Sequence, residues 1–236
     1  EIRKKYSNVL IYHLTRYLEK LVFKYSDLST SVSLRERKKI KSLYKINTIL
    51  LPNGISLNKE KMIKKEKSNY LIYTGSYFYK PNKNAIDYLN NYIMPVLIKK
   101  IPNLKLMLTG GGFNKKFTWI INKGIVKKTD LYKYIYFSKC LCVPLKFGSG
   151  TRIKILEALC LGAIVISSKK GIEGIDIVTK NPPFIVDKKT KLIKEIINII
   201  KNNIKLKKKA GESKKFYLKK YSMKKIVEKF INENQI

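Results

Sequence analysis

A glycine-rich turn between a short apolar run and a helix is the part of this sequence best suited to bind an anion. The apolar run 140–145 predicts a buried strand, and the segment 146–151 predicts a turn leading into a helix near Arg152. Such a turn presents unbonded backbone N–H groups and the positive end of the helix dipole, and both favour a bound anion. Arg152 and Lys154 add positive charges in the first helical turn, where the dipole disfavours them. Their presence there indicates a negatively charged ligand.

Glu157 is the next residue of this helix with chemical potential. At about 100° per residue it falls on the same stripe as the apolar residues Ile153, Leu156 and Cys160. A carboxylate on a core-facing stripe is unfavourable unless something hydrogen-bonds to it. Two explanations fit the pattern. Glu157 forms an ion pair with Lys154, or it accepts hydrogen bonds from ligand hydroxyls, as an acidic residue does for ribose in dinucleotide folds.

Short apolar segments alternate with helical periodicity along most of the chain. This alternation predicts an α/β fold with a doubly wound parallel sheet that carries helices on both faces. A kink or interruption is expected at Pro95. The predicted strands are 28–32, 46–51, 70–74, 104–109, 125–126, 140–145, 163–167 and 184–186, and the predicted helices are 4–25, 34–44, 84–100, 129–137, 152–161, 189–203 and 213–232.

The order of these elements divides the chain into four parts. Residues 1–51 hold two helices and two strands, too few for a closed domain, so we expect the end of an incomplete N-terminal domain. Residues 52–67 are polar and predict a linker, 68–212 form the main domain, and 213–236 form a C-terminal helix. Because the chain begins with Glu1 rather than Met and opens inside a helix, we expect a fragment or a processed chain.

Three glycine-bearing loops follow predicted strands: 75–76, 110–112 and 148–150. In an open parallel sheet, ligands bind at the carboxyl ends of the strands, so these loops are expected on one rim. Each loop alone is also explained by the backbone needs of a tight turn. The spacing fits neither the Rossmann nor the P-loop fingerprint, and the lone His13 rules out catalytic sets built on Ser-His-Asp or Cys-His.

The charge balance is extreme, with 51 Lys+Arg against 16 Asp+Glu and a formal net charge of +35. Three explanations compete: nucleic-acid binding, for which no known reading motif is present; attraction to an anionic membrane surface; and a coding bias toward Lys, Ile, Asn and Tyr. Cys140, Cys142 and Cys160 lie in apolar settings and predict reduced core thiols. No metal site, membrane span or signal peptide is expected.

The run GSGTRIKILEALCLGAIVISSKKGIEGID resembles the nucleotide-binding half of glycosyltransferase family 4, the retaining enzymes of the GT-B fold. The segments NTILLPNGI, YTGSYFYKPNKNAI and LKLMLTGGG resemble that family's landmarks in the same order, so the resemblance covers nearly the whole chain. It implies two facing Rossmann-like domains. The C-terminal one would bind a nucleoside-diphosphate sugar of the UDP or GDP type, and the N-terminal one would hold the acceptor. Residues 213–236 resemble the helix that crosses back to the N-terminal domain.

The same resemblance implies an activity. The chain would belong to a hexosyltransferase-like enzyme that transfers a sugar to a glycan or lipid-linked acceptor. The anomeric configuration of the sugar would be retained. No cofactor, no metal and no nucleic-acid partner is implied. The expected location is the cytoplasm, and attachment to the inner face of the membrane is an additional hypothesis.

Roles for single residues also follow from the resemblance. The implied nucleotide-sugar-binding residues are Gly75 and Ser76 in the first phosphate loop, Val126 near the base, Gly148, Gly150 and Thr151 around the diphosphate, and Glu157 at the ribose. Ser149, Arg152 and Lys154 form the implied catalytic set.

Two departures from the family pattern stand out. Ser149 occupies the place where many members carry a glutamate that contacts the donor sugar. Ser76 and, approximately, Asn82 occupy the places where many members carry an Arg and a Lys. The candidates for supplying the missing charge are Lys80, Lys83, Arg152 and Lys154.

These departures leave other functions open. The first is a non-catalytic or decayed domain that binds nucleotide or an anionic surface. The second is another GT-B enzyme, such as a sugar-nucleotide epimerase. A chain of this extent is also expected to bind nucleotide without necessarily transferring sugar by itself.

Overall fold

The computed structural model describes residues 2–57, 68–148, 150–177 and 183–234. The chain divides into two compact units, Glu1–Pro52 and Asn53–Ile236. None of the helices that the structure describes is both long and apolar enough to cross a membrane.

The first unit has the helix-strand-helix-strand order that the sequence predicts. Its elements are α1 (Ile2–Tyr25), β1 (Thr30–Ser31), α2 (Leu34–Tyr44) and β2 (Ile49–Leu50). The two strands pair in parallel, with Thr30 opposite Ile49. Ser33 caps α2, since its side chain accepts a hydrogen bond from the backbone N–H of Glu36.

The second unit contains the remaining elements. In chain order they are β3 (Tyr70–Thr74), α3 (Lys80–Tyr88), a π-helical segment (Leu89–Ile93), α4 (Met94–Lys100), β4 (Lys105–Thr109), β5 (Ile120–Asn122), α5 (Lys128–Phe137), β6 (Leu141–Val143), α6 (Ile153–Leu161), β7 (Val165–Ser167), β8 (Phe184–Ile185), α7 (Lys189–Lys201), α8 (Asn203–Tyr221) and α9 (Met223–Asn234).

The described strands of the second unit form one parallel sheet in the order β5-β4-β3-β6-β7-β8. The chain runs outward from β3 to one edge, returns through α5, and runs outward from β6 to the other edge. This is the strand order of doubly wound dinucleotide-binding folds, whose topological switch point lies between the two innermost strands. The predicted α/β class and doubly wound parallel sheet are therefore confirmed, and the switch point lies between β3 and β6.

Helices pack against the sheet in two groups. The helix α5 contacts α6, and α6 contacts α8, whereas α4 contacts α7. Right-handed crossovers require this division, because β3 to β4 and β6 to β7 move in opposite directions across the sheet. The central strands are closed to solvent, with Leu71, Ile72 and Tyr73 at 0% exposure.

Two elements differ from their predicted positions. The helix expected from residue 84 begins at Lys80, because Pro81 in its first turn needs no hydrogen-bonded N–H. The interruption expected at Pro95 takes the form of the π-helical segment just before it. The strand predicted at 125–126 is wrong. Residues Ile120–Asn122 pair with β4 instead, and Ile125 is 87% exposed in the loop that follows.

The ends of the second unit also differ from the expected divisions. Ile55, expected in a linker, is buried, and its N–H donates to the carbonyl of Tyr221 at 2.7 Å. Its carbonyl accepts from the N–H of Met223 at 3.2 Å, so this segment belongs to the second unit. The C-terminal helical region begins at Asn203, so a boundary at residue 212 falls inside α8. Ser222 separates α8 from α9.

Candidate functional site

The rim at the switch point is built from loops that fit closely together. The N–H of Gly75 donates to the carbonyl of Thr109 at 2.9 Å, and the N–H of Tyr77 donates to Gly111 at 3.0 Å. A Cβ placed on Gly110 would lie 2.4 Å from the backbone carbon of Gly75. The two loops thus touch backbone to backbone, a contact for which Gly110 has to be glycine.

Lys154 brings the first turn of α6 to the end of β3. Its ammonium nitrogen, Nζ, donates to the backbone carbonyl of Thr74 and to Oδ1 of Asn82, the latter at 3.0 Å. It also lies 4.3 Å from the centre of the Tyr73 ring. A Cβ placed on Gly75 would lie 2.8 Å from this nitrogen. A predicted catalytic residue on one side of the switch point therefore contacts a predicted phosphate loop on the other side.

Burial changes the protonation of Lys154. Loss of hydration and the nearby charge of Arg152 lower the pKa of Lys154 to about 7, although Glu157 acts in the opposite sense. A neutral amine has two N–H groups, which match the two acceptors Thr74 and Asn82. Protonation adds a third N–H, and a negative charge beside the amine would favour this charged form.

Asn82 connects the parts of this rim. Its Oδ1 accepts from the Tyr73 hydroxyl at 2.8 Å as well as from Lys154, and its Nδ2 donates to the carbonyl of Ser76 at 2.9 Å. Asn82 is 8% exposed, so these bonds form away from water. The predicted residue Ser76 is held by this bond and by the N–H of Phe78, which donates to its hydroxyl at 3.3 Å.

Arg152 holds the glycine-rich turn from inside. It is 9% exposed, and its Nη1 donates to the carbonyl of Gly150 at 2.7 Å. A Cβ on Gly148 would lie 2.9 Å from its Nη2, so the guanidinium packs directly under the turn. Thr151 is half-buried beside it. Ser149 lies outside the described residues, so its predicted role stays a prediction.

The hydrogen-bond and ion-pair partners of Glu157 come from α5, and the helical periodicity of the sequence does not predict them. Its Oε1 accepts from the hydroxyl of Tyr132 at 3.0 Å and lies 4.0 Å from the ammonium of Lys128. Its side chain is 12% exposed, and burial raises its pKa, although Tyr132 and the two lysines nearby oppose that rise. The ion pair with Lys154 considered above does not form. Ile153, expected on the buried stripe, is 49% exposed, while Leu156 and Cys160 are buried as predicted.

Val126 lies in the loop after β5, on the side of the rim nearest the Gly110–Gly112 loop. The N–H of Gly110 donates to the carbonyl of Gly124 at 2.7 Å, and a Cβ on Gly111 would lie 3.3 Å from Ile125. Val126 itself is half-buried. The residues just before Val126 therefore contact the second glycine loop, and the role of Val126 itself stays a prediction.

The three cysteines of the unit lie in its core. Cys140, Cys142 and Cys160 are free and buried, and burial raises the pKa of Cys140 to about 12, so this thiol is inert. Among the described residues, no three His, Cys, Asp or Glu side chains lie close enough together to hold a metal ion.

The sequence of this unit matches a defined family. Residues 68–202, more than half of the chain, match the family described as Glycosyl transferases group 1. The chain belongs to this family. A curated relative, an uncharacterized 44.6 kDa protein in the cps region of Klebsiella pneumoniae, is 25% identical over 176 residues. The match covers 70% of this chain and 45% of that relative, so the chain spans less than half of the relative's length.

Solved structures share the fold of this group 1 glycosyl transferase at low sequence identity. TarM has a TM-score of 0.74 and 14% identity, with coverage of 92% of this chain and 45% of TarM. Sucrose-phosphate synthase from Thermosynechococcus elongatus has a TM-score of 0.72 and 14% identity, covering 94% and 61%. HepE from Anabaena, in complex with UDP and glucose, has a TM-score of 0.68 and 11% identity, covering 93% and 66%. The GT-B glycosyltransferase resemblance is confirmed at this level.

Proposed function

We propose that the second unit binds a nucleoside-diphosphate sugar, UDP-linked or GDP-linked, at the switch-point rim. The whole protein would transfer the sugar to a glycan or lipid-linked acceptor with retention of configuration. The observation that carries this proposal is the arrangement around Lys154, whose amine meets Thr74, Asn82 and the Gly75 loop at the end of β3. Ligands of doubly wound sheets bind at such a crevice.

Each group has a distinct task in this proposal. The backbone N–H groups of Gly150, Thr151 and Arg152 and the N-terminus of α6 would donate hydrogen bonds to the diphosphate, and protonated Lys154 would add a full positive charge. These groups would stabilise the diphosphate as it leaves the sugar, when its negative charge increases. Arg152 keeps the turn in shape through its bond to Gly150. Glu157, held by Tyr132, would accept hydrogen bonds from the ribose hydroxyls.

Similar proteins support this choice of ligand. HepE from Anabaena was crystallised with UDP, with UDP-glucose, and with UDP and glucose. A TarM variant from S. aureus was crystallised with fondaparinux, alpha-GlcNAc-glycerol and UDP. The family match covers the residues that form the rim here.

Calorimetric titration of the chain with UDP, GDP and their glucose and mannose conjugates tests the binding step. We expect either UDP or GDP to bind with a stoichiometry of one per chain. This binding should be lost in Glu157→Ala. If neither nucleotide binds to a chain whose circular dichroism shows an intact fold, donor binding is excluded. Transfer and retention need a separate assay. The anomeric configuration of the product, read by NMR with an acceptor glycan, distinguishes retention from inversion and from epimerisation of the donor.

A further inference from the structure

A cavity of about 1220 Å³ lies at the edge of the sheet opposite the rim. It opens between Ser68, Lys139 and Gly162, which precede β3, β6 and β7, and the end of α7 with the start of α8. We call it the basal crevice. Its lining includes the lysines Lys139, Lys201, Lys205, Lys207, Lys208 and Lys214. In the part of the chain that the structure describes, no carboxylate belongs to this lining.

Lys207 shows that a negative partner would be stabilised here. Its Nζ donates to the backbone carbonyl of Tyr136 at 3.2 Å, and its side chain is half-buried. Burial, and then the charge of Lys139, lower its pKa. A bound anion would offset both the lost hydration of Lys207 and its repulsion by Lys139. A phosphate group has the charge and the acceptor oxygens to do so.

The mouth of the crevice is apolar as well as basic. Ile204 is 90% exposed there, and Ile200 lines the wall behind it. Lys205 and Lys208 flank Ile204 on α8 and are exposed. A soluble polyanion gains nothing from an exposed isoleucine. An anionic bilayer accepts both components, because lysines attract its headgroups and apolar side chains enter the boundary between headgroups and acyl chains.

We propose that the basal crevice docks this protein on an anionic bilayer. A lipid phosphate lies between Lys139 and Lys207, and Ile204 is inserted at the level of the headgroups. The crevice is at the amino ends of the strands, whereas the rim is at their carboxyl ends. The docking is independent of glycosyl transfer, since it uses no residue of the rim.

Vesicle flotation tests this proposal with a matched pair of variants. Lys205→Glu with Lys208→Glu reverses two charges, spaced three residues apart, near the start of α8. Lys191→Glu with Lys194→Glu does the same near the start of α7, outside the crevice, with the same change in net charge. The unaltered chain should float with vesicles that contain phosphatidylglycerol and not with pure phosphatidylcholine. Since each lysine near an anionic surface contributes about 1 kcal/mol, the crevice variant should bind roughly thirtyfold or more weakly and the control within about twofold.

Two single variants separate the parts of the site. Ile204→Ser should weaken binding at high salt, where the charges are screened, and Lys207→Met should weaken it most at low salt. Equal flotation of the two charge-reversal variants would overturn the proposal, because binding would then follow net charge alone. Binding of inorganic polyphosphate without binding of phosphatidylglycerol vesicles would also overturn it.

Discussion

The ammonium nitrogen of Lys154 lies 3.0 Å from Oδ1 of Asn82, so side chains from the two halves of the sheet meet at the switch point. Lys154 comes from the helix after β6, and Asn82 comes from the helix after β3. The resemblance gives a lysine approximately at the place of Asn82 in many members of the family, and here the amine of Lys154 on α6 lies beside that side chain. We propose that Lys154 supplies the positive charge of that lysine.

Replacing Lys154 should therefore remove a specific part of the donor affinity. We expect Lys154→Met to weaken diphosphate binding by roughly ten- to a hundredfold, since a charge-assisted hydrogen bond contributes about 1.5–3 kcal/mol. Lys83→Met is the control. Lys83 is exposed and pairs with Asp87 at 2.6 Å, an arrangement of small energetic value. Equal affinities of the two variants in calorimetry would remove Lys154 from the site.

Donor binding should depend on pH through the same lysine. The pKa of Lys154 is about 7 without ligand, and a diphosphate beside it raises that value because it favours the charged form. Binding thus takes up a proton above pH 7. We expect the affinity to be highest below pH 7 and to fall by up to about tenfold per unit as the pH rises through that value. Calorimetry in buffers of different ionisation enthalpy measures the uptake, which should vanish in Lys154→Met.

Glu157 and Tyr132 offer a second test of the site. We expect Glu157→Ala to abolish measurable binding of UDP and GDP, because the ribose hydroxyls lose their acceptor. Tyr132→Phe keeps the ring and removes the hydrogen bond of 3.0 Å to Glu157, so it should weaken binding by a smaller factor, roughly three- to tenfold. If Glu157→Ala binds as the unaltered chain does, the ribose role is wrong.

The contact between the glycine loops should be visible in stability. A methyl group on Gly110 would lie 2.4 Å from the backbone of Gly75, and its φ of 109° is strained for other residues. Gly124 also has a positive φ, 60°, but has open space around it. In urea unfolding, Gly124→Ala should lower the free energy of unfolding by about 1–2 kcal/mol, and Gly110→Ala should lower it clearly more. Similar losses would mean that the loops adjust to the added methyl.

The segment around Ile55 should contribute to the stability of the second unit. A chain that starts at Asn53 keeps Ile55, which is buried and bonded to Tyr221 and Met223, whereas a chain that starts at Ser68 loses it. We expect the shorter chain to be less stable by about 2 kcal/mol or more, the value of burying one isoleucine. Thermal unfolding of both chains measures the difference. Equal midpoints would make this segment a linker after all.

Much of the fold was predictable because its strands are short apolar runs bounded by glycine and proline. The strand at Tyr70–Thr74 has the predicted limits, and the helix predicted at 152–161 ends at Leu161, where Gly162 follows in a left-handed conformation. The strand at 125–126 was wrong because two adjacent apolar residues carry no periodicity. Residues 125–126 are left outside the sheet because β4 pairs with residues 120–122. The local sequence pattern carries no information on that pairing.

The site was predicted in part for a related reason. Arg152, Lys154 and Glu157 stand on one helix beside a glycine-rich turn, so local spacing reveals them. Their partners Asn82 and Tyr132 are 72 and 25 residues away, and which of them reaches α6 depends on strand order. A tyrosine or asparagine near a glycine loop in the sequence is the signal that could have suggested these partners. That signal is weak when the strand order is unknown.

The strands β3 and β6, between which the switch point lies, pair over a shorter length than β3 and β4. In these described strands, five residue pairs register β3 with β4, whereas one pair, Ile72 with Leu141, registers β3 with β6. The rim thus lies over the boundary between two half-sheets, and the amine of Lys154 on α6 contacts the end of β3 there. A ligand that binds beside this amine therefore touches both halves of the sheet at once.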